Sequence, residues 1–330
     1  MLGIIVQKFG GTSLRNLNRN SEFLRLVKKE VEIGNKLVVV VSAMGRKGDP
    51  YATDTLINQL ENISSSINPR KKDLIMSVGE LISAALVSHL LESEGYLAQA
   101  LTGFQAGIIT DDNFNSSKII EINTRKLEEN LKDNIISVVA GFQGVTKDMY
   151  ITTLGRGGSD TTAVALAASL NNVERVDIFT DVPGVAITDP RIVQNTKYLR
   201  NISYDDMYRL ATSGAKVVHP NAVLLAKEYN IPIRVLSTFI DGPGTLITNG
   251  KSDSRIIGFA IKEGKKDTSI ISFIFNKDYR DDINEELSIF LQDEKVHPVG
   301  VEFFDDKATI VVKNQIISEF LQRLYSHFIK

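Results

Sequence analysis

Ile4-Ile5-Val6-Gln7-Lys8-Phe9-Gly10-Gly11-Thr12-Ser13 is a short apolar run that stops at paired glycines. Its first half reads as a buried strand, and its second as a loop at that strand's carboxyl end. A helix pattern follows, with Phe23, Val27 and Val31 on one face and Gly34 as its stop. Leu37 to Val41 is a continuous apolar run of the kind buried on both faces of a parallel sheet. Pro69 opens a long helix in which Leu74, Val78, Leu81, Ala85 and Leu86 recur at helical spacing up to Gly95. Ile135 to Ala140, Val176 to Phe179 and Ile231 to Leu236 read as further strands, and Asp160 to Leu170 as a helix. Strands alternating with helices predict an α/β class chain: a three-layer αβα sandwich around a mainly parallel sheet.

Near Asp241-Gly242-Pro243-Gly244 the texture changes. Two strands, Ile256 to Ile261 and Ser269 to Phe275, precede a helix from Asp281 to Gln292. Two more strands, Val296 to Phe304 and Ala308 to Val312, lead to a final helix from Gln315 to Phe328. That order is a compact ββαββα, α+β unit, so the expected domains are 1–249 and 253–330.

Composition narrows the function. The 330 residues carry 38 Lys+Arg against 40 Asp+Glu, a net charge of −2, so no strong field exists to hold nucleic acid or an anionic membrane. No cysteine is present, which excludes disulfides, cysteine zinc sites and thiol nucleophiles. The four histidines, His89, His219, His297 and His327, lack metal-ligand spacing, and no protein-built metal site is expected. Apolar runs such as Leu37 to Val41 fall far short of the roughly 20 residues that span a bilayer. The N-terminus lacks the charged start and cleavage region of a secretory signal. A cytoplasmic location is the expectation.

Glycine-bearing loops sit where an open α/β sheet places its ligands, at strand carboxyl ends. In Lys8-Phe9-Gly10-Gly11-Thr12-Ser13, paired glycines let backbone N–H groups approach an anion and the lysine adds a point charge. Gly155-Arg156-Gly157-Gly158-Ser159-Asp160 stands just before an alanine-rich helix, whose free N–H groups favour negative charge. Asp160 would repel that anion unless it organises lysines or Mg²⁺; its plain alternative is an N-cap. Phe179-Thr180-Asp181-Val182-Pro183-Gly184-Val185 is a third strand-to-loop segment, followed by Asp189-Pro190-Arg191. A Gly-Gly turn also serves ordinary chain reversal. Neither a Walker loop nor a dinucleotide fingerprint fits. Together these cationic, glycine-rich loops point to nucleotide phosphates.

Lys8-Phe9-Gly10-Gly11-Thr12-Ser13, Gly155-Arg156-Gly157-Gly158-Ser159-Asp160, Thr180-Asp181-Val182 with Asp189-Pro190-Arg191, and Ser213-Gly214-Ala215-Lys216-Val217-Val218-His219-Pro220 resemble the aspartate kinase family in identity and order. The likeness extends over about residues 3 to 248, and it implies the amino-acid-kinase fold. It also implies transfer of a phosphoryl group from MgATP to the side-chain carboxylate of L-aspartate, giving 4-phospho-L-aspartate and ADP. That reaction opens lysine (through diaminopimelate), threonine and methionine biosynthesis. On the same resemblance, Lys8, Asp160 and Lys216 are catalytic. Lys8, Gly10, Gly11, Thr180, Asp181, Arg191, Lys216 and Val217 would hold ATP. Ser42, Thr53, Glu80, Arg156 and Ser159 would hold aspartate, Glu80 taking its ammonium and Arg156 a carboxylate. Pro183 stands where the family usually has aspartate, and Ala186 where a tyrosine is common.

Residues 253–330 resemble an ACT domain, of ferredoxin-like type, which aspartate kinases usually carry in tandem; this chain has length for one. The expectation is a homodimer built through it, with weak or lost feedback by lysine or threonine. The turn Asn276-Lys277-Asp278-Tyr279-Arg280 lacks the proline or glycine usual in ligand-binding units. Two other readings are open. One is a related kinase acting on glutamate, N-acetylglutamate, carbamate or a nucleoside monophosphate; the other is a non-catalytic sensor of ATP or amino acid.

Overall fold

A computed structural model of the chain describes residues 3–252, 254–293 and 297–329. Packing divides it into two compact units, Met1–Pro183 with Asn221–Gly242, and Gly184–Pro220 with Pro243–Lys330. Residues 184–220 and 243–249 thus pack with the ββαββα segment, and the dividing line differs from the single boundary expected near residue 250.

Up to residue 183 the elements are β1 (Ile4–Phe9), α1 (Glu22–Glu32), β2 (Lys36–Val41), α2 (Thr53–Glu61), α3 (Pro69–Ser93), β3 (Ala98–Leu101), β4 (Ile108–Thr110), β5 (Ile119–Ile122), α4 (Arg125–Lys132), β6 (Ile136–Ala140), β7 (Gln143–Val145), β8 (Ile151–Thr153), α5 (Gly158–Ser169) and β9 (Val173–Thr180). There follow β10 (Asn201–Ser203) and α6 (Tyr204–Ser213) in the second unit, then α7 (Pro220–Glu228) and β11 (Ile233–Ser237).

In the first unit β11, β9, β1, β2, β6 and β3 lie side by side in that order, each pair parallel. Successive side chains alternate between faces. Ile5, Phe9, Val39, Val41 and Val138 gather with Phe23 and Val27 of α1 and with Val87 and Leu91 of α3. On the other face α5 packs against β1, β2 and β9, and α4 against β2 and β6. These are the three layers that the alternation predicts. Helix ends follow local chemistry. Gly34, at φ 90°, closes α1 while the Asn35 N–H reaches the Glu30 carbonyl at 3.0 Å. Pro69 stands at the first position of α3, and the Asn68 side chain accepts the Arg70 N–H at 3.0 Å.

The phase of α3 differs from expectation. Leu74 and Leu86 are exposed, whereas Asp73, Met76, Ser77, Glu80, Ser83, Val87 and Leu91 are buried. Small and apolar residues surround this helix, so periodicity alone leaves two candidate faces, and close packing selects one. Gly79 shows why: a Cβ there would meet the Ala43 Cβ and the Tyr51 carbonyl at 2.7 Å. By length and composition α3 could cross a membrane, which the short apolar runs did not suggest, but over half of its most apolar stretch is buried inside the protein.

A charged cluster ties β9 to its neighbours. Asp177, fully buried, accepts from Arg234 Nε at 2.9 Å and Nη2 at 2.8 Å, and from Arg175 Nε at 3.0 Å. Arg175 Nη2 reaches Glu30 of α1 at 2.7 Å. Removing one member of such a set strands the others without water. Asp177→Asn is expected to cost about 2–3 kcal/mol, read as a shifted urea midpoint; an unchanged midpoint would show the cluster to be dispensable.

A small mixed sheet, in the order β5-β4-β7-β8, was not legible from strands of three or four residues. It lies on the chain flanking β6 and carries the segment leading into α5.

The second unit pairs β10 in parallel with β12 (Thr245–Thr248). Beyond them come β13 (Ile256–Glu263), β14 (Thr268–Phe275), α8 (Arg280–Asp293), β15 (Gly300–Phe303), β16 (Lys307–Lys313) and α9 (Ile317–Phe328), the ββαββα order expected. Val296, the expected start of a strand, lies outside the described residues. The sheet order is β13-β14-β16-β15, all antiparallel neighbours. β14-α8-β15 is therefore a crossover between parallel strands with β16 between them, the ferredoxin-like split βαβ that an ACT domain requires. Phe273, Phe290, Phe320 and Phe328 form its core.

Candidate active site

Because the strands of the first unit run parallel, the residues after β1, β2, β6 and β9 emerge at one edge of the sheet. An open cleft of about 450 Å³ lies there. It brings together Lys8 and Asp160 with the whole set expected to hold aspartate: Ser42, Thr53, Glu80, Arg156 and Ser159.

Lys8, near the end of β1, places its Nζ 2.8 Å from Asp160 Oδ1, and both side chains are largely buried. Asp160 sits in the first turn of α5, where the helix dipole favours a carboxylate. The pairing makes Asp160 an organiser of the lysine. The turn before it needs its glycines: Gly157 is left-handed at φ 71°, and a Cβ on Gly158 would meet the Phe142 ring at 2.7 Å.

Of the Gly10-Gly11 pair, Gly10 departs from the expectation. The Gly10 N–H donates to the Phe179 carbonyl at 3.2 Å, so it is spent on joining β1 to β9 and does not face an anion. A Cβ on Gly11 would overlap the Ala43 and Gly45 carbonyls. Its bareness serves the approach of two loops.

Glu80 is the most perturbed group of the cleft. Only 3% exposed, it accepts the Ala43 N–H at 3.0 Å through Oε1, while Oε2 has no hydrogen-bond partner among the described residues. Burial pushes its carboxyl up to about 8, opposed by the Ala43 bond. A buried carboxylate with an unpartnered oxygen suits an incoming cation. Arg156 is exposed and forms no ion pair among the described residues.

Sequence reasoning missed several cleft residues. Lys72 and Met76 stand eight and four residues before the expected Glu80 on α3, at helical spacings of four, and line the cleft with it. Asp73 lies beside them, fully buried: it accepts the Thr153 hydroxyl at 2.6 Å, the Thr153 N–H at 3.1 Å and the Asn115 N–H at 3.0 Å. Burial pushes the Asp73 carboxyl up, and these bonds counter it. Its seven-residue separation from Glu80, two helical turns, was the available signal.

The remaining candidates fall into two groups. Thr180 and Asp181 follow β9. The Thr180 hydroxyl accepts the Val182 N–H at 2.9 Å, and Asp181 Oδ2 lies 2.5 Å from Arg46 Nη2. Arg191, Lys216 and Val217 belong to the second unit. There Arg191 forks onto Asp189 at 3.0 and 2.6 Å, chiefly holding that carboxyl low, with exposed Lys216 adding to the effect. No group of three or more metal-ligating side chains occurs among the described residues. A magnesium ion would therefore rely on nucleotide phosphates, as this cation usually does.

Comparison with known proteins gives the family. The profile of the amino acid kinase family matches residues 3–237. Aspartokinase 1 of Bacillus subtilis is 49% identical over 249 residues, covering 76% of this chain and 61% of that protein. The chain thus spans about three fifths of the length of the curated relatives it matches. Among solved structures, E. coli aspartokinase III in complex with aspartate and ADP covers 99% of the chain and is covered in full, with a TM-score of 0.80 at 22% identity. Aspartate kinase from Synechocystis covers 98% of the chain, with 69% of its own length matched, a TM-score of 0.65 and 28% identity. On its parallel sheet, its glycine loops and the match over residues 3–237, the chain belongs to the amino acid kinase family.

Proposed function

We propose that this protein is an aspartate kinase, phosphorylating the side-chain carboxylate of L-aspartate with ATP. The observation that carries the reading is Glu80, a buried carboxylate with an unpartnered oxygen in the same cleft as Arg156 and Lys8. Relatives 45–49% identical that bear the aspartokinase name support it. Glu80 takes the substrate's ammonium, Arg156 forks onto its α-carboxylate, and the Ser42, Thr53 and Ser159 hydroxyls orient what remains. The acceptor is already an anion, so no general base is needed. The bond from the terminal phosphorus to the β-phosphate oxygen breaks, ADP keeping the electron pair, and an Oδ–P bond forms; no proton moves.

The work of the protein is to align two anions and offset their charge. Lys8, held by Asp160, serves the nucleotide phosphates, and Thr180 and Asp181, which follow β9 in the same unit, serve the nucleotide. Magnesium, carried in with the nucleotide, would neutralise charge on its phosphates while Lys8 holds them from the protein side.

A hydroxamate assay with MgATP tests the assignment. Aspartate should give product while glutamate and N-acetylglutamate do not; glutamate turnover without aspartate turnover would sink it. The enzyme would act in the cytoplasm at the head of lysine, threonine and methionine synthesis. Residues 1–249 would form its catalytic domain and 253–330 an ACT-like module joining two copies. Sedimentation at twice 36.5 kDa is the expected result for the dimer.

A further inference from the structure

A terminal phosphate meeting a carboxylate carries charge that Lys8 alone does not offset, since that ammonium already lies against Asp160. The loop after β2 supplies another cation. It leaves the sheet at Ser42 and enters α2 at Thr53, both in the cleft, and Arg46 lies between them. Two anchors hold this loop. The Gly45 N–H donates to the Gly11 carbonyl at 2.9 Å, and Asp49 accepts the Arg46 N–H at 2.8 Å and Arg15 Nη2 at 2.8 Å. Gly45 and Gly48 have φ of 83° and 100°, values that only glycine adopts without strain.

From there the Arg46 guanidinium reaches Asp181, directly after β9. In the sheet β1 stands between β2 and β9. The Arg46–Asp181 pair therefore bridges across the end of β1, where Lys8 and Gly11 stand. Its side chains are 65% and 48% exposed, and an exposed ion pair contributes little to stability. A guanidinium so held can move to a stronger anion at small cost, and its planar fork suits phosphate oxygens.

We propose that Arg46 is a phosphate-binding arginine for the transferred group, parked on Asp181 until a nucleoside triphosphate arrives. This rests on the kinase reading above for its acceptor, but not for its nucleotide. Developing charge on the phosphoryl oxygens is what a fixed guanidinium stabilises most. Because Arg46 shares its loop with Ser42 and Thr53, nucleotide and aspartate sites are coupled through one short segment.

The test titrates wild type, Arg46→Ala and Arg46→Lys with a non-hydrolysable ATP analogue and with ADP by calorimetry, then measures turnover. Wild type should prefer the triphosphate analogue about tenfold over ADP, and Arg46→Ala should lose that preference. Its kcat should fall about 100-fold with aspartate KM within about threefold, Arg46→Lys being intermediate. A melting temperature within about 1 °C of wild type is expected for an exposed pair. Arg46→Ala with the wild-type triphosphate preference, or with kcat within about twofold of wild type, overturns the proposal. A wild-type chain that binds neither nucleotide overturns it together with the kinase reading. A wild type inactive on aspartate but with an Arg46-dependent triphosphate preference sinks only the acceptor assignment.

Discussion

Glu80→Gln should raise the KM for aspartate by about two to three orders of magnitude while leaving the nucleotide KM near wild type. Losing one partner of a buried ion pair costs about 2–5 kcal/mol, and each 1.4 kcal/mol is about tenfold. The pH dependence is the sharper readout. The Glu80 carboxyl stands at about 8 in the fold against 4.5 for the free side chain, so in the empty site it is largely neutral at pH 7. An ammonium requires it ionised, hence aspartate binding should release a proton, and KM should climb as pH falls below about 8, by at most about tenfold per unit. Glu80→Gln should lose that slope.

Stability should move in the opposite sense. Between 4.5 and about 8 the folded state holds a proton that the unfolded state gives up, so stability declines as pH rises through that window. Glutamine removes the effect. The variant should lie within about 1 kcal/mol of wild type at pH 5 and exceed it by up to about 5 kcal/mol at pH 9. Thermal melts at the two pH values decide the matter, and a difference independent of pH would refute the buried, raised carboxyl.

The second large effect concerns Asp73. Alanine there would strand the Thr153 hydroxyl and the Thr153 and Asn115 amides, buried donors that each cost about 1–3 kcal/mol unpaired. A loss of about 4 kcal/mol is expected for Asp73→Ala, and about half that for Asp73→Asn, which keeps one acceptor oxygen. Asp73→Asn should also raise aspartate KM more than nucleotide KM, because Asn115 and Gly155 line the cleft proposed to hold aspartate, beyond those bonds. Equal urea midpoints for wild type and Asp73→Ala would dismiss this account.

Much of the site was legible because its chemistry is local. Lys8 to Ser13 and Gly155 to Asp160 are strand-end and helix-start loops whose glycines and charges announce themselves within six residues. That Lys8 and Asp160 meet at 2.8 Å was a matter of fold, yet both had already been assigned to one phosphate site. Glu80 was found through the resemblance, since a lone helix glutamate carries no such signal.

Apart from α2, α4, α6 and the strands of three or four residues that precede β13, the order of strands and helices, the loops at their ends and the ββαββα tail were written in the chain, because hydrophobic period and turn chemistry act over a few residues. Which face of α3 turns inward was not. Leucines and alanines lie on several sides of that helix, and only its contact at Gly79 with Ala43 and Tyr51 set its rotation. That rotation buried Asp73 and Glu80 together. The Gly10 amide's commitment to Phe179, the small sheet that carries Thr153, and the reach of Arg46 to a residue 135 positions away likewise came from packing. Such pairings join groups distant in sequence, whose meeting depends on the whole arrangement of strands.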